Sequence, residues 1–112
     1  MMRLCVVTAL PCEARPWVDR YRLSPVRSAP YRIWRNDEVA VVAGGVGAAS
    51  CAAASGYLAG STGAPRTSVW INAGIAGHPH LPRGALAVVS RSIDQSSGRT
   101  RFPPLPIRCP LP

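Results

Sequence analysis

One stretch decides the fold class of this 112-residue chain: Val39-Ala40-Val41-Val42-Ala43-Gly44-Gly45-Val46-Gly47. Its first half is apolar and rich in Val, which is typical of a strand that is buried on both faces of a parallel sheet. The glycines end the strand, and the small residues that follow predict a helix that starts at Gly47 or Ala48 and stops at Gly60. A strand, a glycine turn and a helix in this order are typical of an α/β layer fold.

Similar segments outside this stretch predict the rest of the sheet. Residues 31–35 alternate between polar and apolar side chains, and the Asn36-Asp37 turn connects them to residues 38–43 as a hairpin. We expect strands at three further short apolar runs, residues 3–8, 68–73 and 85–91. The expected architecture is a partial three-layer αβα fold with a mixed, largely parallel sheet.

The first helix is expected directly after the first strand. Pro11 is compatible with the first turn of a helix, and Glu13 would lie near the positive end of the helix dipole. Because Pro16 cannot donate a backbone hydrogen bond, the regular helix is predicted to begin between Ala14 and Pro16 and to run toward Tyr21.

Composition argues against several classes of protein. Hydrophobic residues make up 47% of the chain, which is enough for one packed domain and is unlike an intrinsically disordered chain. All 13 basic residues are Arg, and the absence of Lys excludes a phosphate-binding loop that ends in Lys, a Schiff-base enzyme and a Lys general base. We assign residues 1–92 to the N-terminal part of one domain and the Pro-rich residues 93–112 to a mostly irregular tail.

The cysteines and the uncharged segments bear on the cellular compartment. Four cysteines without a C-x-x-C pair do not form the pattern of a secreted disulfide framework, so a reducing cytoplasm is expected. Residues 39–65 are uncharged and long enough to cross a bilayer, but glycines interrupt them and small side chains gain little on leaving water. The apolar residues 4–10 indicate a strand rather than a signal peptide. No membrane association is therefore predicted.

Arginines and aromatic residues are interleaved between positions 15 and 35. Such a composition can bind phosphates and stack on bases, as a nucleic-acid-binding surface does. Because the aromatic residues alternate as core residues would, we favour a solvated face over binding of nucleic acid. The residues concerned are Arg15, Trp17, Arg20, Tyr21, Arg22, Arg27, Tyr31, Arg32, Trp34 and Arg35.

Three loops follow predicted strands at the edge where α/β sheets bind ligands. Glu13 in the first loop is either a general base at a cleft or an acid that stabilises a helix N-terminus. The glycines at 44–47 either expose backbone amides to an anion or a sugar, or form only a tight turn. Residues 72–77 form a second loop with exposed backbone groups, and His78 and His80 lack the further ligands that a metal site needs. We expect no metal and no cofactor.

Taken in order, the three loops resemble the N-terminal half of the nucleoside phosphorylase and nucleosidase superfamily, and most closely the nucleosidases that act on methylthioadenosine and S-adenosylhomocysteine. The matching segments are Val6-Val7-Thr8-Ala9-Leu10-Pro11-Cys12-Glu13, Val41-Val42-Ala43-Gly44-Gly45-Val46-Gly47-Ala48, Ile71-Asn72-Ala73-Gly74-Ile75-Ala76-Gly77, and Gly84 leading into Val88-Val89-Ser90. The resemblance implies cleavage of the N-glycosidic bond of a purine nucleoside, by water or by phosphate. Glu13 would be the catalytic residue that activates the water. The implied substrate-binding residues are Ala9, Gly45, Val46, Gly47, Ile75, Ala76 and Gly77.

The sequence also departs from this family. Ile75 stands where the nucleosidases have a small hydroxyl residue, and Ala85 replaces an acid. The second half of a family member supplies a glutamate that binds the ribose and an acid that protonates the purine, and Asp94 does not lie in a matching context. We therefore expect a truncated member with little or no activity alone, an open sheet edge near residues 85–91, and self-association into a homo-oligomer.

Two other classes of protein stay open. One is a small Arg-rich module that binds nucleic acid, whose affinity would fall steeply with salt. The other is a non-catalytic structural fragment that keeps the sheet and pairs with another chain.

Overall fold

A computed structural model describes residues 1–104 of the chain. These residues belong to two compact units, Met1–Ala76 and the part of the chain from Gly77 onward. The elements of the first unit are β1 (Leu4–Thr8), α1 (Pro11–Tyr21), β2 (Ser24–Arg27), β3 (Arg32–Arg35), β4 (Val39–Ala43), α2 (Ala48–Thr62) and β5 (Val69–Asn72). The second unit contains a short hairpin made of β6 (Ser92–Ile93) and β7 (Thr100–Arg101).

The five strands of the first unit form one mixed sheet in the order β2-β3-β4-β1-β5. Strand β1 is parallel to β4 and to β5, whereas β3 is antiparallel to both β2 and β4. The predicted α/β class, the mixed sheet and the hairpin of β3 and β4 are therefore confirmed. Strand β2 was not predicted, because the sequence Ser24-Pro25-Val26-Arg27 has no alternating apolar pattern. All four residues are exposed in the structure.

Side chains that alternate along the central strands fill two separate cores, one on each face of the sheet. On one face, α2 contributes Ala54 and Leu58, which pack against a set of strand residues: Cys5, Val7, Ile33, Ala40 and Val42. On the other face, α1 contributes Ala14 and Val18, which pack against Val6, Trp34, Val39 and Val41. This division confirms the three-layer αβα arrangement.

Both helices differ from their predicted bounds. The prediction that α1 starts between Ala14 and Pro16 is wrong, because the helix begins at Pro11. Pro16 is the sixth of the 11 residues of α1, so the helix continues through it without the one hydrogen bond that its N–H would donate. Helix α2 continues past Gly60 to Thr62, and Gly63 caps it in the left-handed conformation with a φ of 62°.

The strand predicted at residues 85–91 is wrong. This segment contains no regular structure, and its apolar side chains are exposed, including Leu86, Val88 and Val89. An apolar run becomes a strand only where a neighbour completes its hydrogen-bond ladder, and the edge strands of the sheet are β2 and β5 instead. Strand β7 lies within the predicted irregular tail, residues 93–112, and β6 begins one residue before it. Residues 105–112 of the tail lie outside the described part. Within residues 1–104, no helix has the length and apolar character needed to cross a membrane.

Candidate functional site at the ends of three strands

The candidate site lies where the parallel strands β4, β1 and β5 end side by side. The register pairs Thr8 of β1 with Ala43 of β4, and Val7 of β1 with Asn72 of β5. Backbone hydrogen bonds then continue the ladder into the loops, since the Gly45 N–H donates to the Ala9 carbonyl over 2.9 Å. The loops that follow the three strands therefore begin at one edge, as expected for a parallel sheet.

The Glu13 carboxylate joins two of these loops. Glu13 is in the first turn of α1, and its Oε1 accepts hydrogen bonds from the N–H groups of Ala9 at 3.1 Å and Leu10 at 2.8 Å. Its Oε2 accepts a third bond, from the N–H of Ile75 at 2.7 Å. A side chain near the start of the chain thus fixes the loop that follows β5, 62 positions further along the sequence.

These backbone donors also determine the charge of the carboxylate. The bonds from Leu10 and Ile75 lower the pKa of Glu13 most, partial burial raises it, and the bond from Ala9 lowers it further. The net result is a pKa below the ordinary value, so Glu13 is ionised at neutral pH. A carboxylate offers about four lone-pair positions, and three of them are used. One position is left for a water molecule or a sugar hydroxyl.

Gly74 lets the third loop approach the carboxylate closely. A Cβ atom at this position would lie 3.0 Å from Glu13 Oε2, which is tighter than ordinary contacts between side chains. Leu10 donates a hydrogen bond to Glu13 and Gly74 borders it, and neither is among the residues predicted for the site. The signal for Leu10 is the capping pattern, in which an acid in the first turn bonds back to the amide that precedes the helix. Nothing in the sequence beyond the position of the loop indicates Gly74.

The glycine loop after β4 has two residues in backbone conformations that favour glycine. Gly45 has a φ of 93°, and Gly47, which directly precedes α2, has a φ of 106°. The Gly45 N–H is already bonded to Ala9 and is not available to a ligand. In the described part of the chain, the N–H groups of Val46 and Gly47 have no intramolecular acceptor, so they are the amides of this loop that can bind an anion or a hydroxyl.

The predicted site residues are therefore brought together only in part. Hydrogen bonds connect Glu13 to Ala9 and Ile75, and Ala9 to Gly45. Val46 and Gly47 lie in the same loop as Gly45, and neither bonds to Glu13 among the residues described. Among the residues described, no hydrogen bond joins Ala76 to Glu13, and Gly77 belongs to the second unit.

The two histidines form a local turn of the second unit. The ring nitrogen Nδ1 of His78 accepts hydrogen bonds from the N–H groups of His80 at 3.0 Å and Leu81 at 2.9 Å. Because this nitrogen is used as an acceptor, it is not free to bind a metal ion in this conformation. Within residues 1–104, no three His, Cys, Asp or Glu side chains are grouped as metal ligands would be.

Comparisons of the chain with models of protein families, with curated proteins and with solved structures found no match.

Proposed function

We propose that the loops around Glu13 form part of a site that cleaves the N-glycosidic bond of a purine nucleoside, with water or phosphate as the attacking group. One observation carries the proposal: loops from separate strands meet at a single ionised carboxylate that keeps one free acceptor position. The class of substrate comes from the resemblance of the three loops to nucleosidases and nucleoside phosphorylases.

The chemistry of glycoside cleavage suits an ionised carboxylate. As the bond between the sugar carbon and the purine nitrogen breaks, its electron pair leaves with the purine and the sugar becomes an oxocarbenium-like cation. The negative charge of Glu13 stabilises that cation. Water then forms the new bond to the sugar carbon, and its proton passes to the free acceptor position of the carboxylate.

The departing purine also needs a proton, and the residues around Glu13 include no side-chain acid that could donate it. In the described loops, the backbone amides of Val46 and Gly47 can donate hydrogen bonds to the purine, but a peptide N–H does not transfer its proton. We therefore expect this chain to bind purine nucleosides and to turn them over slowly or not at all by itself.

A second candidate is favoured by the same hydrogen bonds. All three partners of the carboxylate are internal backbone groups, which is what a purely structural connection between loops requires. In that case the chain is a non-catalytic fragment, and Glu13 only holds two loops together.

Nucleoside binding and purine release distinguish the two candidates. Thermal unfolding of the purified chain is measured with and without methylthioadenosine or inosine, and free purine is quantified by chromatography with and without phosphate. We expect the nucleosides to raise the Tm of the wild-type chain, and Glu13→Gln to abolish any purine release. Glu38→Gln removes the same charge at an exposed site and is expected to leave both readouts unchanged. A Tm that no nucleoside shifts, together with no release of purine, would leave only the structural role.

A further inference from the structure

A groove on the α1 face of the sheet shares no residue with the Glu13 site. Its volume is about 570 Å³, and it lies between α1 and the strands β2 and β3. The floor is apolar and consists of Val18, Leu23 and Trp34, each less than 10% exposed. Charged side chains surround this floor: Arg15, Asp19, Arg22 and Arg32.

The rim of the groove is positively charged. Arg15 forms an ion pair with Asp19 one helical turn away, with 3.3 Å between Nε and Oδ1. In the part of the chain that the structure describes, neither Arg22 nor Arg32 has an acidic partner. Three arginines and one aspartate give the rim a net charge of +2. Its guanidinium groups can therefore bind an anion without first breaking an ion pair.

The backbone of Arg22 and the guanidinium of Arg32 are each held by their surroundings. Arg22 ends α1 in the left-handed conformation, with a φ of 53°, and its backbone N–H donates to the Val18 carbonyl. The guanidinium of Arg32 lies 5.2 Å from the centre of the Trp34 ring. Stacking occupies the flat face of a guanidinium and leaves the N–H groups at its edge free to donate. Arg32 therefore loses less side-chain freedom when an anion binds.

We propose that this groove binds the phosphate group of a phosphate monoester between Arg22 and Arg32. A monoester carries close to two negative charges at neutral pH, which matches the charge of the rim. Planar guanidinium groups suit the oxygens of a phosphate, to which they donate in pairs. The apolar floor is suited to the carbon part of the ester. Inorganic phosphate has no carbon part and cannot make this contact.

Calorimetric titration of the whole chain at low ionic strength tests the proposal with three probes: phenyl phosphate, inorganic phosphate and a short oligothymidylate. Phenyl phosphate is expected to bind most tightly, and inorganic phosphate more weakly at the same site. We expect Arg22→Gln and Arg32→Gln each to weaken phenyl phosphate binding about tenfold, the change that corresponds to loss of one charge-assisted hydrogen bond.

Two variants separate a defined site from diffuse attraction to a basic chain. Arg66→Gln removes the same charge outside the groove and should leave the affinity unchanged within about twofold, since a distant exposed charge is screened. Asp19→Asn should strengthen binding, because it removes the one negative charge of the rim. A gain in affinity cannot arise from misfolding. The thermal unfolding of each variant is measured as a check that it folds.

Two results would overturn the proposal. The first is that phenyl phosphate does not bind, and the second is that Arg66→Gln weakens binding as much as Arg22→Gln does. If phenyl phosphate does not bind and oligothymidylate does, the arginines are assigned to nucleic acid instead.

Discussion

Replacing Glu13 with Gln should destabilise the fold, because a neutral amide cannot accept all three backbone hydrogen bonds. If the Gln oxygen keeps the two bonds from Ala9 and Leu10, the amide nitrogen faces the N–H of Ile75, and two donors oppose each other. A hydrogen bond to a charged group contributes about 1.5–3 kcal/mol. Since Ile75 is 82% exposed, water offsets part of the loss, and the low end, about 1.5 kcal/mol, applies. In a domain of this size that loss lowers the Tm by about 6 °C or more.

Thermal unfolding at neutral pH, followed by circular dichroism, measures this loss against a matched control. Glu38→Gln also removes one negative charge, but the Glu38 carboxylate lies 3.8 Å from Arg3 with both side chains more than 60% exposed. An exposed pair of this kind contributes less than about 1 kcal/mol. The Tm of Glu38→Gln should therefore stay close to that of the wild type. Equal values of Tm for the two variants would contradict the assigned role of Glu13.

The same comparison in acid tests the lowered pKa. Because the folded pKa of Glu13 lies below the unfolded value of about 4.3, its stabilising effect is fully present above that pH. The effect is lost as the pH falls through the folded pKa. The difference in Tm between wild type and Glu13→Gln should therefore be constant from neutral pH to about pH 5 and shrink in stronger acid. A difference that stays constant throughout the acid titration would refute the reasoning.

Two further predictions concern packing and thiol reactivity. Gly44→Ala should destabilise the chain by about 1–3 kcal/mol in urea unfolding, because its Cβ would overlap with that of Ala54 in α2. Gly56→Ala in the same helix should stabilise it by up to about 1 kcal/mol, since a Cβ there meets no atom within 4 Å. The thiol prediction uses a chain that carries Cys109→Ser. A thiol reagent should label the exposed Cys12 at once and Cys5 only on unfolding. Cys5 is buried, and this burial raises the pKa of its thiol more than Arg35 lowers it. Rapid labelling of Cys5 in the folded chain would show that the centre of the sheet opens.

The sequence predicts the centre of the fold better than its margins. The same signal, a short apolar run, marks β1, β4, β5 and residues 85–91. The two central strands are buried as that signal predicts, since each has strands on both sides and helices on both faces. Strand β5 has one neighbouring strand, and Trp70 is 40% exposed. Residues 85–91 form no strand at all. Burial depends on what lies beside a strand, and hydrophobicity along the chain carries no information about those neighbours.

The candidate site shows a similar limit. Its location follows from a general property of parallel sheets, so the convergence of the loops could be predicted. The hydrogen bond from the Ile75 N–H to Glu13 Oε2 could not be predicted, because it depends on the path of the loop that contains Gly74. The groove between α1, β2 and β3 was not predicted from the sequence, for another reason. Interleaved arginines do not show which face each one joins, and Arg27 lies 5.8 Å from the ring of Tyr57, on the α2 face.

Two catalytic roles of Glu13, as a general base and as a stabiliser of a cationic sugar, place opposite demands on its pKa. A strong general base needs a pKa near the working pH, and the backbone donors that hold the carboxylate in place lower the pKa instead. Stabilisation of a cationic sugar has the reverse requirement, because only the ionised form attracts positive charge. Since charge develops on the sugar as the glycosidic bond breaks, a carboxylate fixed by backbone amides suits that step better than removal of a proton from water. If Glu13 acts on a nucleoside, its contribution is therefore mainly electrostatic, and the connection between the loops is what keeps its charge in place.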